Sequence, residues 1–485
     1  MAKDKKTERK SEKGLQAEKD DFSEWFTQLM LKADLADYTD VSGCIVYKPA
    51  SYALWEKIRD ETDKRFKKLA IQNTCFPLFI PEKYLNKEKE HVEGFSAEVA
   101  WVTEAGNTKF AERLAVRPTS ETIMYPSYSK WIRSWRDLPL KYNQWNNVVR
   151  WEFSHPVPFF RGREFLWNEL HTALATEKES LEEGPEVLKA YDDVCKNFLA
   201  LYGLVGKKTD SEKFAGGVAS WKIHYIIPTG RVLEGPCFHH DGQNFAKAYD
   251  IKFLDEQGKE QYVWQNTYAI STRMLGVMFA VHSDSKGLII PPKMAPNKIV
   301  IVPILFEDSK EKVLKKAEEI EKELDDFGTF VDKRENYKPG FKFNEWELKG
   351  IPLRIELGPK DLANNKVVIV RRDNGKKEIV DIKNLKKEAK IILDDIQKNL
   401  YEKSKKLFES KIEKTPFLSE LKKLIADKKV GIIPLCKNPE CEAMIKHETG
   451  GAKAVFIAED KLKGDEKCLI CQKKADYYVY VGKTY

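Results

Sequence analysis

The segment VVRWEFSHPVPFFRGREFLWNELHTAL, residues 148–174, constrains the fold more than any other part of the chain. Side chains alternate at its start, where Arg150 and Glu152 share one face. They alternate again at its end, where the shared face carries Arg163, Phe165, Trp167, Glu169 and His171. A proline-containing loop with Arg161 separates the two stretches, which predicts an antiparallel strand pair with one charged face.

A charged sheet face has a structural and a functional interpretation. Salt bridges between paired strands would account for the charges in an ordinary two-sided sheet. In the functional interpretation, which we favour, Arg150 and Arg161 hold a triphosphate, and Glu152 binds the adenine amino group or orients the arginines. The segment therefore predicts a nucleotide site on antiparallel strands.

Two other segments carry side chains that suit a small substrate. In RPTSET, Thr119 and Glu121 form an ordinary helix N-terminus or accept the amino group of an amino acid. In EGPCFHHDGQNF, the adjacent His239 and His240 fit a structural role more readily than a catalytic one. From these residues alone, both interpretations stay open in each segment.

An arginine at the start of a helix indicates an anionic ligand. The segment AISTRMLGVMFAVH predicts a helix whose first turn carries Ser271, Thr272 and Arg273. The helix dipole disfavours a cation there, whereas the free N–H groups and the guanidinium would converge on a phosphate. We therefore expect Arg273 to bind phosphate.

Length and composition limit the classes of protein. A chain of 485 residues, 42% of them hydrophobic, is expected to form about two to four packed domains. No apolar stretch is long enough for a membrane helix, and the charged segment 1–20 lacks the apolar core of a secretory signal. We expect a cytoplasmic protein with a disordered tail over residues 1–20. The net charge of +7 permits a nucleic-acid partner without requiring one.

The proline-rich segment 291–298 marks the main domain boundary. Residues 21–290 precede it as one domain. After it, apolar strands alternate with charged helices, which predicts an α/β domain over residues 291–400 with a mainly parallel or mixed sheet. We place a last domain at residues 401–485, where the cysteines are paired.

The paired cysteines predict a metal site. Cys436 and Cys441 form a Cys-x₄-Cys pair, and Cys468 and Cys471 form a Cys-x₂-Cys pair. Two such pairs are typical of tetrahedral zinc, and disulfides are the weaker alternative in an intracellular chain. Because four thiolates would fill the coordination shell, we expect structural zinc.

Together these segments resemble a known family. The strand–loop–strand with Arg150 and Arg161, followed by a helix that bears Arg273, is similar to motifs two and three of class II aminoacyl-tRNA synthetases. The phrases VRPTSETIMYPSYSKWIRSWRDLPLKYNQWNNVVRWEF, EKFAGG, GQNF and KPGFKFNEWELKGIPLRIELGPKDL resemble prolyl-tRNA synthetases of the archaeal and eukaryotic type. The resemblance runs from about residue 21 to Tyr485.

The resemblance implies an α+β fold with three parts. These are a class II antiparallel-sheet catalytic domain, an α/β anticodon-binding domain and a small zinc-binding α+β domain. It implies a homodimeric ligase that uses ATP with Mg²⁺, activates L-proline as prolyl-adenylate and transfers it to tRNA(Pro), without a membrane partner. The alternatives are a paralogue that activates another small amino acid and a non-catalytic tRNA-binding relative.

The resemblance also implies roles for individual residues. Arg150 and Arg273 would be catalytic. The implied amino-acid-binding residues are Thr119, Glu121, Trp167, Glu169, His171 and His239. The implied ATP-binding residues are Arg150, Glu152, Arg161, Glu234, Cys237, Ser271 and Arg273.

Several positions depart from the residues usual in the family. Glu234 stands where a glutamine is usual, Cys237 and Phe238 precede His239 where Thr-Ser or Thr-Val is usual, and Leu170 replaces a glycine. A cysteine in place of threonine removes a good hydroxyl donor, and Phe238 adds bulk. We therefore expect these substitutions to affect the selectivity for proline more than the formation of the adenylate.

Segment 338–361 interleaves basic and aromatic residues. The pattern suits a single-stranded anticodon loop, and from the residues alone a charged rim around core aromatics is equally possible. The resemblance favours anticodon binding, with Lys342 and Glu347 as candidate base-reading residues.

Overall fold

The structure, a computed structural model, describes residues 14–91, 98–151 and 156–485. In the part of the chain that is described, the helices are too short or too polar to cross a membrane. Three modules follow one another along the chain, and we call them the N-terminal, middle and C-terminal modules.

The N-terminal module contains seven helices in its described residues. They are α1 (Phe22–Lys32), α2 (Pro49–Lys68), α3 (Glu82–His91), α4 (Glu121–Trp131), α5 (Glu177–Asn197), α6 (Asn244–Tyr249) and α7 (Arg273–His282). Its strands are β1 (Ala36–Tyr38), β2 (Ile45–Tyr47), β3 (Gln72–Asn73), β4 (Phe79–Pro81), β5 (Trp101–Ala105), β6 (Thr108–Val116), β7 (Leu140–Val149), β8 (Glu164–Leu174), β9 (Leu204–Lys207), β10 (Ala219–Ile226), β11 (Val232–Gly242), β12 (Lys252–Leu254), β13 (Glu260–Tyr262) and β14 (Trp264–Ser271).

The middle and C-terminal modules are smaller. The middle module comprises β15 (Ile299–Pro303), α8 (Lys310–Glu323), β16 (Phe330–Val331), α9 (Pro339–Lys349), β17 (Leu353–Leu357), α10 (Pro359–Ala363), β18 (Lys366–Arg371), β19 (Lys377–Asp381) and α11 (Leu385–Ser410). The C-terminal module comprises β20 (Ile412–Lys414), α12 (Leu418–Ala426), β21 (Val430–Leu435), α13 (Pro439–Glu448), β22 (Lys453–Ile457) and β23 (Tyr477–Gly482).

A central antiparallel sheet organises the N-terminal module. Its strands run in the order β9-β10-β11-β14-β8-β7, and β3 adds a parallel edge beside β7. The predicted strand pair is confirmed, since β7 and β8 pair antiparallel from Leu140–Ala173 to Val149–Glu164. The N–H of Arg150 continues the ladder by donating to the Arg163 carbonyl over 2.7 Å.

The two faces of this sheet differ because side chains alternate along each strand. On the back face, Leu170 of β8, Phe238 of β11 and Tyr268 of β14 are buried in the same core as Tyr191 of α5. Each large apolar side chain buried in this way contributes about 1.5–3 kcal/mol. The front face, where the intervening polar residues point, is therefore left for a binding site.

The predicted helix over residues 269–282 begins later than expected. α7 starts at Arg273, whereas Ser271 is the last residue of β14 and pairs with Trp167. The residues before Arg273 extend because their backbone groups complete the ladder with β8.

The five-stranded sheet of the middle module is mixed, which is one of the two alternatives that the sequence predicted. Its order is β16-β15-β17-β18-β19, with β15 parallel to β16 and β17 and the other pairs antiparallel. The sheet of the C-terminal module joins the central sheet through the pairing of Ile457 with Lys207.

The predicted tail divides into two parts. Residues 1–13 lie outside the described residues. Residues 14–20 contact the N-terminal module, because Leu15 and Ala17 pack against its core and the Lys19 ammonium donates to the Ser283 carbonyl over 2.5 Å.

Candidate active site

The front face of the central sheet carries a cavity of about 300 Å³. Predicted site residues that line it are Thr119, Glu121, Arg150, Trp167, Glu169, His171, Glu234, Cys237, His239, Ser271 and Arg273. Arg161 lines two smaller cavities beside it, and Glu152 lies outside the described residues. Residues far apart in sequence thus meet because four neighbouring strands contribute to one face.

Glu169 forms the floor of the cavity. Its carboxylate accepts hydrogen bonds from the Ser120 N–H (2.8 Å), the Ser120 hydroxyl (2.6 Å) and the Asn146 amide (2.8 Å). Burial alone would favour the neutral acid, but donors including His171 and Ser120 outweigh it and lower the pKa of Glu169. A buried carboxylate that stays ionised is suited to bind a cation.

The side chains around Glu169 complete an acidic, partly aromatic corner. The Thr119 hydroxyl donates a hydrogen bond to the Glu121 carboxylate. The indole N–H of Trp167 donates to the Asn146 side chain over 2.7 Å, which fixes the ring against the cavity. His171 Nδ1 is 3.1 Å from the Tyr125 hydroxyl. This corner has the charge and size for the ammonium group of a small amino acid.

Two of the unusual residues do not face this corner. Phe238 is on the back face, stacked between Trp221 at 5.0 Å and Tyr268 at 5.1 Å. Gly184 of α5 makes room for it, because a Cβ there would lie 2.1 Å from the Phe238 ring. Leu170 is buried in the same core. The expectation that Phe238 adds bulk to the pocket is therefore wrong, and of these substitutions Cys237 and Glu234 line the cavity.

Arg150 lies between the acidic corner and the rest of the cavity. Its Nε donates to the Pro118 carbonyl over 2.9 Å. The guanidinium is 5.1 Å from the centre of the Trp167 ring and 5.5 Å from that of Phe165, which are cation–π distances. These contacts fix the arginine and leave charge available for an anionic group.

Arg273 is held by two backbone carbonyls at the start of α7. Its Nε donates to Phe160 and its Nη1 to Glu234, each over 3.1 Å. Phe160 belongs to the β7–β8 loop, which is anchored because Phe159 and Phe160 are both buried against α7. The loop and the helix thus position Arg161 and Arg273 together.

Glu234 is neutralised by two lysines. Its carboxylate is 2.7 Å from the Lys208 ammonium and 2.6 Å from that of Lys222. Burial opposes ionisation, but the attraction of both lysines holds the pKa of Glu234 well below its ordinary value. The two ammonium groups therefore offset the negative charge of Glu234 in the cavity.

His239 and Cys237 face the cavity from β11. His239 Nδ1 is 2.7 Å from the Ser220 hydroxyl, and its ring packs on Phe214. Burial and the positive charge of Lys222 lower the pKa of His239 from 6.5 to about 3, so the imidazole is neutral. Burial raises the pKa of the Cys237 thiol, which therefore stays protonated. His240 points to the back, 2.9 Å from the Ser180 hydroxyl, in a structural role.

The two smaller cavities adjoin the main one. One of about 80 Å³ shares Arg150, Phe165 and Arg273 with it. The other, of about 180 Å³, shares Glu234 and Arg273 and is closed by the C-terminal Tyr485. The Tyr485 ring stacks on Phe160 at 5.0 Å. Arg273 thus lines all three cavities, and Arg150 and Arg161 each line two of them.

The sequence patterns did not reveal several residues of this site. Ser120, Gln144 and Asn146 supply donors around Glu169, and Lys208 and Lys222 neutralise Glu234. The run Asn-Gln-Trp-Asn-Asn in β7 was a usable signal, since Asn is depleted from strands unless its side chain has a partner. Isolated lysines carry no comparable signal.

The four paired cysteines converge in the C-terminal module. Their sulfur atoms all lie within 4.8 Å of one another, with Cys436 3.5 Å from Cys441 and 3.7 Å from Cys471. Tetrahedral Zn–S bonds of ~2.3 Å require sulfur separations of ~3.8 Å. The donor set and its spacing therefore fit zinc.

The candidate base-reading residues differ in accessibility. Lys342 is 2% exposed and its ammonium donates to the Asp332 carbonyl over 2.8 Å, which turns it into the module. The lysine lies on the buried side of α9, and its role in base reading stays a prediction. Glu347 is half-buried at the end of α9, 3.3 Å from Arg354 and 3.6 Å from Lys286.

Family models match all three modules. The tRNA synthetase class II core domain (G, H, P, S and T) matches residues 102–282, and an anticodon binding domain matches residues 298–391. The C-terminal domain of prolyl-tRNA synthetases matches residues 418–485.

Known proteins are similar over nearly the whole chain. The cytoplasmic proline–tRNA ligase of Arabidopsis thaliana is 44% identical over 97% of this chain and 91% of its own length. A proline–tRNA ligase of Ruminiclostridium cellulolyticum is also 44% identical, over 100% of both chains. The crystal structure of prolyl-tRNA synthetase from Cryptosporidium parvum, complexed with halofuginone and AMPPNP, superposes with a TM-score of 0.94 at 41% identity, covering 98% of this chain and 100% of that one.

Proposed function

Because this chain belongs to the proline–tRNA ligase family of class II aminoacyl-tRNA synthetases, we propose that it activates L-proline as prolyl-adenylate and transfers it to tRNA(Pro). The observation that carries the proposal is the single cavity in which an ionised acidic corner around Glu169 adjoins Arg150 and Arg273. An amino acid and a nucleoside triphosphate need these two environments side by side.

The acidic corner is assigned to the amino acid. The prolinium group is expected against Glu169, Thr119 and Glu121, because charge-assisted hydrogen bonds to a desolvated carboxylate are strong. The pyrrolidine ring has Trp167 and His171 as its walls, with His239 opposite. The proline carboxylate is then directed towards Arg150.

The arginine side is assigned to ATP. Arg150, Arg161 and Arg273 would stabilise the charge on the phosphates, and Ser271 and Cys237 would line the nucleotide space. Magnesium bound with the ATP substrate would share this neutralisation. Glu152 and Glu234 remain proposed ATP contacts, Glu234 through the lysines that it holds.

The reaction then has two displacements. An oxygen of the proline carboxylate attacks the α-phosphorus, and pyrophosphate leaves with the bonding electrons. A hydroxyl of the terminal tRNA ribose next attacks the activated carbonyl, loses its proton, and AMP leaves. Positioning and fixed positive charge account for most of the rate in such phosphoryl transfer.

The middle module is assigned to the anticodon. The rings of Tyr337 and Phe341 stack 4.5 Å apart, and the exposed Lys338 lies between them in the sequence. Lys360, in α10, is also exposed. Cations beside accessible rings bind single-stranded RNA. Of the two candidate base-reading residues, Glu347 is the more accessible and Lys342 is buried.

Assembly and organisation follow the family. We propose a homodimer whose interface includes the partly exposed Leu78 and Phe79, and a location in the cytoplasm, as the name of the Arabidopsis relative states for that protein. We propose residues 21–290, 291–400 and 401–485 as its catalytic, anticodon-binding and zinc-binding domains.

ATP–pyrophosphate exchange measured with each of the twenty amino acids tests the proposed function. Proline is expected to give the largest kcat/KM, because Phe238 and Leu170 are buried in the core behind the sheet and do not line the cavity. Stronger stimulation by alanine or cysteine would favour a paralogue with another substrate. Absence of exchange with every amino acid would favour a non-catalytic tRNA-binding relative.

Zinc content gives a separate prediction for the cysteine cluster. The purified protein is expected to hold about one zinc ion per chain, and Cys468→Ser to hold close to none, since a structural site needs its four ligands. Elemental analysis by plasma mass spectrometry measures both. Cys75→Ser, which alters an exposed cysteine away from the cluster, should keep its zinc. Equal zinc in the two variants would contradict the assignment.

A further inference from the structure

An arginine–aspartate pair joins the N-terminal module to the middle module. Asp284 lies just after α7, and Arg372 lies just after β18. The two Nη atoms of Arg372 donate to the two carboxylate oxygens of Asp284 over 2.9 and 2.6 Å. Arg372 is only 6% exposed. The Asp284 side chain is 42% exposed, but the bidentate geometry fixes both distance and orientation, and we call this pair the Asp284–Arg372 clasp.

Arg372 of the clasp also contacts the end of α9. Nε of Arg372 donates to the Glu347 carbonyl over 2.8 Å. Beside it, the N–H of Leu288 donates to the Leu348 carbonyl over 3.0 Å. The contact is tight enough to require glycine at position 287, where a Cβ would lie 2.4 Å from Cα of Leu348 and φ is +143°. The helix proposed to read the anticodon therefore cannot shift without moving the clasp.

On its other side the clasp holds the end of α7. The Trp25 indole donates to the Asp284 carbonyl over 3.2 Å, and Lys19 donates to the neighbouring Ser283 carbonyl. Almost every residue of α7 is buried. A helix of ten residues spans about 15 Å, and a close-packed one moves as a rigid unit. Its first residue is Arg273.

We propose that the Asp284–Arg372 clasp couples tRNA binding at α9 to the position of Arg273 at the other end of α7. This inference rests on the proposed function, because it assigns tRNA to the middle module and ATP to Arg273. Coupling between two binding sites is reciprocal. If bound tRNA tightens nucleotide binding at Arg273, a bound nucleotide tightens tRNA binding by the same factor.

The test measures that factor directly. The Kd of a tRNA(Pro) transcript is determined for the full chain with and without proline and a non-hydrolysable ATP analogue. In the unaltered protein the analogue is expected to lower the Kd by about tenfold, within the usual range for coupled sites. In Arg372→Gln the effect is expected to shrink to less than about twofold, since the link between α9 and α7 is cut.

The neighbouring arginine provides a matched control. Arg371 makes the same kind of bidentate pair, to Asp373 over 3.0 and 2.9 Å, but both partners belong to the middle module. Arg371→Gln should therefore weaken that module and leave the coupling intact. Loss of coupling in both variants would show general destabilisation and overturn the inference.

A second variant and a double-mutant cycle complete the experiment. Asp284→Asn breaks the same clasp from the other module, and the double variant should lose no more coupling than either single one. Asp284→Asn decides the matter if Arg372→Gln fails to fold. Additive losses, or coupling retained in both single variants, would overturn the proposal. Proline-dependent exchange without tRNA, measured in parallel, tests the proposed function independently.

Discussion

Replacing Arg273 with alanine is expected to lower kcat/KM for proline-dependent ATP–pyrophosphate exchange by about 10³-fold or more. The guanidinium is oriented by the carbonyls of Phe160 and Glu234, so it is in place before substrate arrives. A charge fixed in advance at a developing phosphate charge costs no reorganisation in the transition state. Removing it leaves a buried gap at the junction of three cavities.

Two comparisons make this expectation specific. Arg273→Lys should recover little of the loss, because an ammonium group lacks the planar set of donors that binds two carbonyls and a phosphate together. Arg59→Ala, which removes a partly exposed arginine of α2, should leave exchange unchanged. If Arg273→Ala retains exchange within about tenfold of the unaltered protein, the assignment of Arg273 to the phosphates is wrong.

The sequence predicted those parts of the site that depend on alternation along one strand. Trp167, Glu169 and His171 share a face because β8 is extended, and that relation needs nothing beyond the period of a strand. It also predicted a helix with Arg273 near its start, though β14 takes Ser271 into its ladder. The local sequence pattern was sufficient to predict which side chains lie together wherever a single strand or helix fixes their geometry.

The parts that the sequence could not predict depend on packing between elements. Phe238 was expected in the pocket because it precedes His239, yet a bulge-free stretch of β11 places neighbours on opposite faces. Lys342 was expected at the surface, and the register of α9 on the sheet buries it. The neutralisation of Glu234 needs lysines from two different strand segments. The burial of Lys342 and the neutralisation of Glu234 are tertiary contacts without a local signature, whereas the position of Phe238 follows from alternation along β11 once that segment is known to be a strand.

The explanation for Glu234 also bears on selectivity. In the sequence it was one of several departures that left the amino acid in question. In the structure it contacts Lys208 and Lys222 on the nucleotide side, while Phe238 and Leu170 belong to the back-face core. The acidic corner that would bind the prolinium group keeps all of its expected residues. We therefore expect proline to remain the preferred substrate, and Cys237 is the departure that still faces the cavity beside Glu234.

Glu169→Gln is expected to raise the KM for proline by about 10- to 100-fold, with a smaller change in kcat. The amide is nearly the same size, and its oxygen in the Oε1 position can still accept from the Ser120 hydroxyl and from Asn146. Its NH₂ group cannot accept from the Ser120 N–H, so the substitution removes that hydrogen bond as well as the negative charge that faces the ammonium group. Exchange kinetics at varied proline concentration measure the change. A KM within about twofold of the original would contradict the assignment.

Glu183→Gln is the matched control for this substitution. Glu183 is a buried carboxylate on the opposite side of the same sheet, where it accepts from the hydroxyls of Thr172 (2.7 Å) and Tyr268 (2.9 Å) and lies 3.1 Å from the Lys141 ammonium. Both substitutions remove a buried charge and should lower the melting temperature, because both leave donors with a weaker acceptor. Only Glu169 lines the cavity, so only Glu169→Gln should raise the KM for proline. An equal rise in both variants would mean that the effect comes from weakened folding of the sheet and not from a lost contact with the amino acid.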